Sequence, residues 1–212
     1  SDGGKGTHIW MIDSGFDQQH SGEFALKPII EIEYQPNAGR YDTQSGHGTQ
    51  VASCVSSWKY GVAKAAQLHV VAIGAKGPLR KAVQFVIDRV KKMESARPSG
   101  GKRQIRHVLQ MSVTFLEPGA LDEEMRAADE AGIVVVNAAG NGADNACHYS
   151  PASFTRKTRN ILTVGSIGNK DQISKFSARG SCVNIFAPGE QVSVLKANGA
   201  VKKSFGTSFS SP

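Results

Sequence analysis

The sequence predicts an α/β domain built on a mostly parallel sheet. Short apolar, β-branched runs alternate with segments of helical spacing, the pattern of strands joined by crossover helices. With 212 residues, 40% of them hydrophobic, the chain can form one domain, 1–212, with a sizeable core. No apolar run approaches the ~18 residues of a membrane span, and no repeat, low-complexity tract or linker interrupts the alternation.

The first strand is "THIWMID", residues 7 to 13. After "SGHGTQVASCVSS", whose small and apolar residues suit a helix packed closely on a sheet, comes a second strand, "LHVVAIG", from Leu68 to Gly74. Leu79, Val83, Val86, Val90 and Met93 then recur at spacings of four, three, four and three, which predicts a helix with one buried face. "RHVLQMSV" reads as a strand. "LDEEMRAADEAG" reads as a helix with acids in its first turn and Gly132 at its end, and "IVVVNAAG" as another buried strand. "ILTVGSI" and "VNIFAPG" follow. Asn198 and Gly199 between "VSVLK" and "VKKSF" predict an antiparallel hairpin leading into Ser208.

Charge and cysteine content narrow the function only slightly. Lys and Arg number 25 against 18 Asp and Glu, a net charge of +7. Part of that excess lies in "ARPSGGKRQIRH" and "SFTRKTRN", which carry none of the interleaved aromatics that stack on bases; they read as solvated loops, not a nucleic-acid patch. The polar, glycine-rich start "SDGGKGTH" has no apolar core of a secretory signal. Cys54, Cys147 and Cys182 allow one disulfide and one free thiol, their pairing open, and the histidines and cysteines lack the spacing of a zinc cluster.

In open α/β sheets, sites form beyond the carboxyl ends of the strands, so polar residues just after buried strands are the ones to weigh. Asp13 closes "HIWMID" and, alone, would be a turn or capping residue. His47 lies between two glycines that let its backbone pass close to another segment, whereas His8, His20, His69, His107 and His148 lack that setting and read as surface or satisfied core residues. Cys54 follows His47 by seven residues, about 10 Å along a helix, too far for an activated thiol, and reads as a small buried apolar residue. Ser208 in "FGTSFSSP" stands at a strand-to-helix junction, where small neighbours expose a hydroxyl. Asn141 follows a strand and a glycine, a placement suited to aiming an amide at developing negative charge.

The blocks "MIDSG", "GHGTQVAS", "NAAGN" and "FGTSFSSP" occur in this order, with 34, 94 and 67 residues separating Asp13, His47, Asn141 and Ser208. They resemble the signature blocks of the subtilisin-like serine proteases, and "YGVAKAAQLHVV" and "HYSPASF" resemble the fungal branch typified by proteinase K. The resemblance implies a three-layer fold, its mostly parallel sheet flanked by helices, and a serine endopeptidase. Ser208 would be nucleophile, His47 general base, Asp13 its orienting carboxylate and Asn141 an oxyanion donor. Substrate would add as a strand between Gly74, Ala75, Lys76 and Gly77 on one side and Ser112, Val113 and Thr114 on the other. It further implies a protein or peptide substrate, an inhibitory pro-segment, secretion and a monomer, with no nucleic acid, membrane or required cofactor.

The pattern is not followed throughout. Val113, Thr114 and Phe115 stand where relatives carry a Leu-Gly-Gly-like run, so Thr114 would narrow the primary pocket, and Gln50 stands where many carry histidine. Structural calcium would map to the Pro151 carbonyl and Asp171, but the intervening "TRKTR" adds positive charge, which does not help a hard cation. Family domains also begin earlier and continue past the serine into a helix, so the chain is expected to be truncated at both ends, lacking the C-terminal helix after Ser208. These departures keep a second reading open: a catalytically impaired subtilase-like domain that binds peptides or a partner.

Overall fold

A computed structural model describes residues 3–34, 46–74, 78–97, 105–196 and 199–212. Seven strands form one parallel sheet: β1 (Thr7–Asp13), β2 (Ile29–Glu33), β3 (Gln67–Ala72), β4 (Arg106–Met111), β5 (Val134–Ala138), β6 (Ile161–Ile167) and β7 (Ile185–Pro188). Their order is β2-β3-β1-β4-β5-β6-β7, with β1 near the middle. Helix α1 spans His47–Ser56, α2 Leu79–Ser95 and α3 Asp122–Glu130; β8 (Val192–Leu195) and β9 (Val201–Ser204) form a separate antiparallel hairpin.

The two-residue period of β1 divides the molecule into layers. Trp10 and Ile12 point into a core shared with the Leu79, Val83, Val86 and Val90 stripe of α2 and with Met125 and Ala128 of α3. Ile9 and Met11 point the other way, against Val51, Ala52 and Val55 of α1 and Val194 of the hairpin. Each large side chain fully buried in these cores contributes about 1.5–3 kcal/mol. The three-layer arrangement, helices on both faces of a parallel sheet, is the one the sequence predicts.

Three features differ from or add to the sequence reading. "SFTRKTRN" is not a simple loop: Ala152–Lys157 is a 3₁₀ helix with Phe154 and Thr155 buried, and the Lys157 ammonium pairs with Asp122 at 2.6 Å. Asn198 of the expected turn lies outside the described residues, although the hairpin it was to connect is present. Strand β2 was not anticipated. Its pairing with β3 shifts register between Ile30 and Ile32, and Glu31 at that irregularity reaches His69.

The face that continues Ile9 and Met11 ends in Asp13, and the face of Val108 continues through Gln110 toward Ser112. Both run toward the layer of α1 and the hairpin, so the strand period itself delivers polar groups to one end of that layer.

Candidate active site

Asp13 is completely buried at the end of β1. Its Oδ1 accepts from the Ser14 N–H at 2.7 Å and from His47 Nδ1–H, also at 2.7 Å, while Oδ2 is buried with no hydrogen bond from the described residues. His47 reaches it because α1 begins there and lies very close to the chain after β1: a Cβ added to Gly48 would stand 2.0 Å from the Gly15 carbonyl oxygen. The Gly48 N–H donates to Ser14 Oγ at 3.0 Å, fixing the start of α1 on the turn that follows Asp13. A buried carboxylate bonded to Nδ1–H favours the tautomer that leaves Nε2 as acceptor.

Ser208 is 7% exposed in a one-turn 3₁₀ helix, Thr207–Phe209. Gly206, with φ of +139°, lets the chain turn from β9 into that helix, a backbone conformation that strains any residue with a side chain. Ser112 Oγ donates to the Ser208 carbonyl at 2.9 Å and accepts from Gln110 Nε2 at 2.7 Å; the Ser208 hydroxyl donates to the Ser112 carbonyl at 3.4 Å. His47 comes against the next residue, Phe209, with ring centroids 5.9 Å apart. Asp13, His47 and Ser208 thus gather at the carboxyl end of β1 and β4.

Asn141, exposed beyond β5, is tied to the same turn. Its Oδ1 accepts from the Thr207 N–H at 2.9 Å and from Thr207 Oγ1 at 3.0 Å. With the oxygen thus engaged, the amide Nδ2 is the end left to donate, and it stands 3.6 Å from where a Cβ on Gly206 would be. The loop is braced by Tyr149, whose hydroxyl donates to Asp144 at 2.9–3.0 Å, and by a Cys147–Cys182 disulfide. That bridge leaves Cys54 as the free cysteine, buried in the α1 core, where desolvation pushes its thiol up to about 12.

Of the expected binding edges, Gly74 and Ser112 lie at the ends of β3 and β4, and Ala75, Lys76 and Gly77 lie outside the described residues. Val113 and Thr114 are half-buried; Val113 packs on the core, and Phe115 exchanges backbone hydrogen bonds with Ser150 at 2.9 and 3.0 Å. The proposed calcium ligands do not form a cage. The Pro151 carbonyl accepts from the Phe154 N–H, Asp171 is exposed in the turn after β6, and no three acidic, histidine or cysteine side chains among the described residues converge on a cation. Calcium requires six to eight oxygens.

Several supporting roles escaped the sequence reading. Thr207 orients Asn141, and Gln110 holds Ser208 through Ser112, which was expected only as a binding edge. Gln50 is buried and accepts from Ser204 Oγ at 2.9 Å, which ties α1 to the hairpin. Gln50 had a signal as a departure at a position that already stood out, and Ser112 as the start of the expected binding edge; Thr207 and Gln110 had none.

The fold is a three-layer α/β domain with a seven-stranded parallel sheet, and Asp13, His47 and Ser208 lie at the carboxyl ends of its central strands. Residues 4–212 match the model of the subtilase family, Peptidase S8. The chain is 33% identical over 217 residues to subtilase-type proteinase psp3 of Schizosaccharomyces pombe, covering 99% of this chain and 45% of that protein. It is likewise 33% identical over 212 residues to alkaline serine exoprotease A of Vibrio alginolyticus, covering 99% of this chain and 37% of that one. A crystal structure of a cold-adapted subtilisin-like serine proteinase superposes with a TM-score of 0.79 at 31% identity, over 100% of this chain and 72% of that chain. This chain belongs to the subtilase family, and it spans less than half the length of these two curated relatives.

Proposed function

We propose that the chain carries the catalytic site of a serine endopeptidase, as one domain, with Asp13, His47 and Ser208 as its triad and Asn141 as an oxyanion donor. The observation that carries this reading is the 2.7 Å hydrogen bond from His47 Nδ1–H to the fully buried Asp13, on the sheet face where Ser208 rests. Ser208 Oγ attacks the scissile carbonyl carbon while its proton passes to His47 Nε2, and Asp13 stabilises the imidazolium that forms. The new oxyanion accepts from Asn141 Nδ2 and the Ser208 N–H. When the intermediate collapses, the carbon–nitrogen bond breaks and Nε2 returns its proton to the leaving amine. Water, deprotonated by the same imidazole, then releases the acyl group.

Substrate lies as an extended strand against the edges at Gly74–Gly77 and Ser112–Thr114, and the chemistry needs no metal. In the whole protein, a pro-segment restrains the site before release to the extracellular space, and the mature enzyme acts as a monomer. This setting is what the resemblance to the subtilisin-like proteases implies; the relatives' names as proteinases support the peptidase reading itself.

The test is intact mass after exposure to an organofluorophosphonate. One adduct is expected on the native chain and none on Ser208→Ala, with equal circular dichroism for both. A folded native chain that takes no adduct would overturn the reading. It would favour a subtilase-like domain that binds peptides without cutting them, for which Thr114 on the binding edge is the supporting feature.

A further inference from the structure

Beyond the carboxyl end of the sheet, the side of the site opposite Gly74 and Ser112 has a chemistry of its own. The turn at 168–176 follows β6 and Glu190 follows β7, so both lie past Asn141 in the strand order. A peptide whose acyl half lies over the ends of β3 and β4 has to leave in that direction. A cleft of about 360 Å³ opens there, a second of about 350 Å³ lies between α1 and β9, and Phe205 lines both.

Phe205 is 53% exposed only three residues before Ser208. Its position is fixed on both sides: Ser204 Oγ donates to Gln50, and the Gly206 N–H donates to the Gly189 carbonyl at 2.9 Å. Ile173, 41% exposed, and the half-buried Phe176 face the first cleft with it. Together they make an apolar wall next to the nucleophile turn, large enough to take an aliphatic or aromatic side chain.

The rim is basic. Lys170 and Lys175 line the first cleft; Lys202 and Lys203 line the second, which His47 also borders. Among the described residues, Glu190 is the only carboxylate in either lining, with Asp171 exposed in the neighbouring turn. None of the four lysines is in an ion pair among the described residues, and Lys203 Nζ donates to Ser193 Oγ at 2.7 Å. Unscreened like charge around a groove raises the local concentration of opposite charge.

We propose that this leaving-group side selects peptides carrying an apolar residue after the scissile bond, seated against Phe205, followed by acidic residues that the four lysines attract. The proposal rests on the serine-peptidase reading for its placement of the scissile bond. An exposed ion pair is worth a few-fold in affinity, so two acidic residues should give about tenfold selectivity at low salt that shrinks as ionic strength rises.

The test uses internally quenched peptides with one common acyl half and leaving halves beginning Phe-Glu-Glu, Phe-Gln-Gln, Phe-Lys-Lys or Gly-Glu-Glu. The expected kcat/KM order is acidic over neutral over basic, spread about tenfold at low salt and compressed at 0.5 M salt. The Lys170→Glu, Lys175→Glu double variant should shrink or invert that order, and Phe205→Ala should erase the advantage of Phe over Gly while keeping the charge order. Rates within twofold of one another, unmoved by salt, would overturn the proposal. Dissociation constants of the same peptides on Ser208→Ala, read by fluorescence anisotropy, decide the cleft even if no peptide is cut. The same order in binding without hydrolysis upholds the cleft and places the failure in the peptidase reading, which the fluorophosphonate adduct tests separately. Equal binding of all four removes the cleft.

Discussion

At the scale of the residue, hydrogen-bond partners set what each side chain can do. Asn141 has its oxygen held twice by Thr207, so Asn141→Ala removes a donor whose direction is already chosen. That substitution is expected to lower kcat by about 10²–10³ with a much smaller change in KM, measured on a chromogenic peptide. Thr207→Val should reproduce part of the loss, because it removes the Oγ1 hydrogen bond but keeps the backbone one. Gly48 acts by absence. The Gly15 carbonyl occupies the place of its missing side chain, so Gly48→Ala must push α1 away from β1 and lengthen the Asp13–His47 hydrogen bond. The expected outcome is both a lower urea midpoint and loss of fluorophosphonate labelling; full labelling of the variant would show that α1 can shift without moving His47.

At the scale of the element, three strands assemble a buried histidine stack at the opposite end of the sheet. His69 Nδ1–H donates to Glu31 at 2.7 Å, which leaves Nε2 to accept from His8 Nδ1–H, also at 2.7 Å. Trp10 Nε1–H donates to His107 Nδ1 at 3.2 Å, and the Trp10 ring stacks on His69 with centroids 4.1 Å apart. The arrangement is complete when His69 is neutral: a proton on its Nε2 would face the His8 donor. Burial, reinforced by the neighbouring histidines, lowers His8 from 6.5 to about 4 against the opposing pull of Glu31 and Glu94, and burial lowers His69 as well. The unfolded chain therefore takes up these protons first. Stability is fully present above about pH 6.5 and declines as pH falls toward 4. Thermal midpoints between pH 7 and pH 4 should drop steeply in the native chain and less steeply in His69→Gln. Nothing in the local sequence announced this stack, since positions 8, 69 and 107 meet only once strand register is known. Strand β2 was hidden for a related reason: its five residues form a short edge whose single irregular residue, Glu31, is spent on His69.

For the whole molecule, the layers were legible because parallel strands buried on both faces leave continuous apolar runs, and the helix stripe from Leu79 to Val90 has one period throughout. Asp13, His47, Asn141 and Ser208 could be singled out because each is a polar residue placed just past such a run or beside glycine. Their supports could not, because Gln110 and Thr207 are ordinary residues until a distant segment meets them, and Ser112 stood out as a binding edge without its hold on the Ser208 carbonyl. The disulfide lies in the same class. Cys147 and Cys182, 35 residues apart, join the loop carrying Asn141 to the segment before β7. Chain entropy predicts that replacing both with serine costs about 3–4 kcal/mol, measurable as a lower urea midpoint with a steeper slope, since the uncrosslinked denatured chain exposes more surface.

Cys54 gives the molecule a built-in clock. This residue is 5% exposed within α1 and packs in the core beneath the helix, and desolvation holds its thiol far from the reactive thiolate. A thiol reagent can therefore modify it only during moments when α1 lifts from the sheet, and the labelling rate counts those openings. Because the same helix begins with His47, that count would measure how often the site comes apart, in a folded chain and without any substrate.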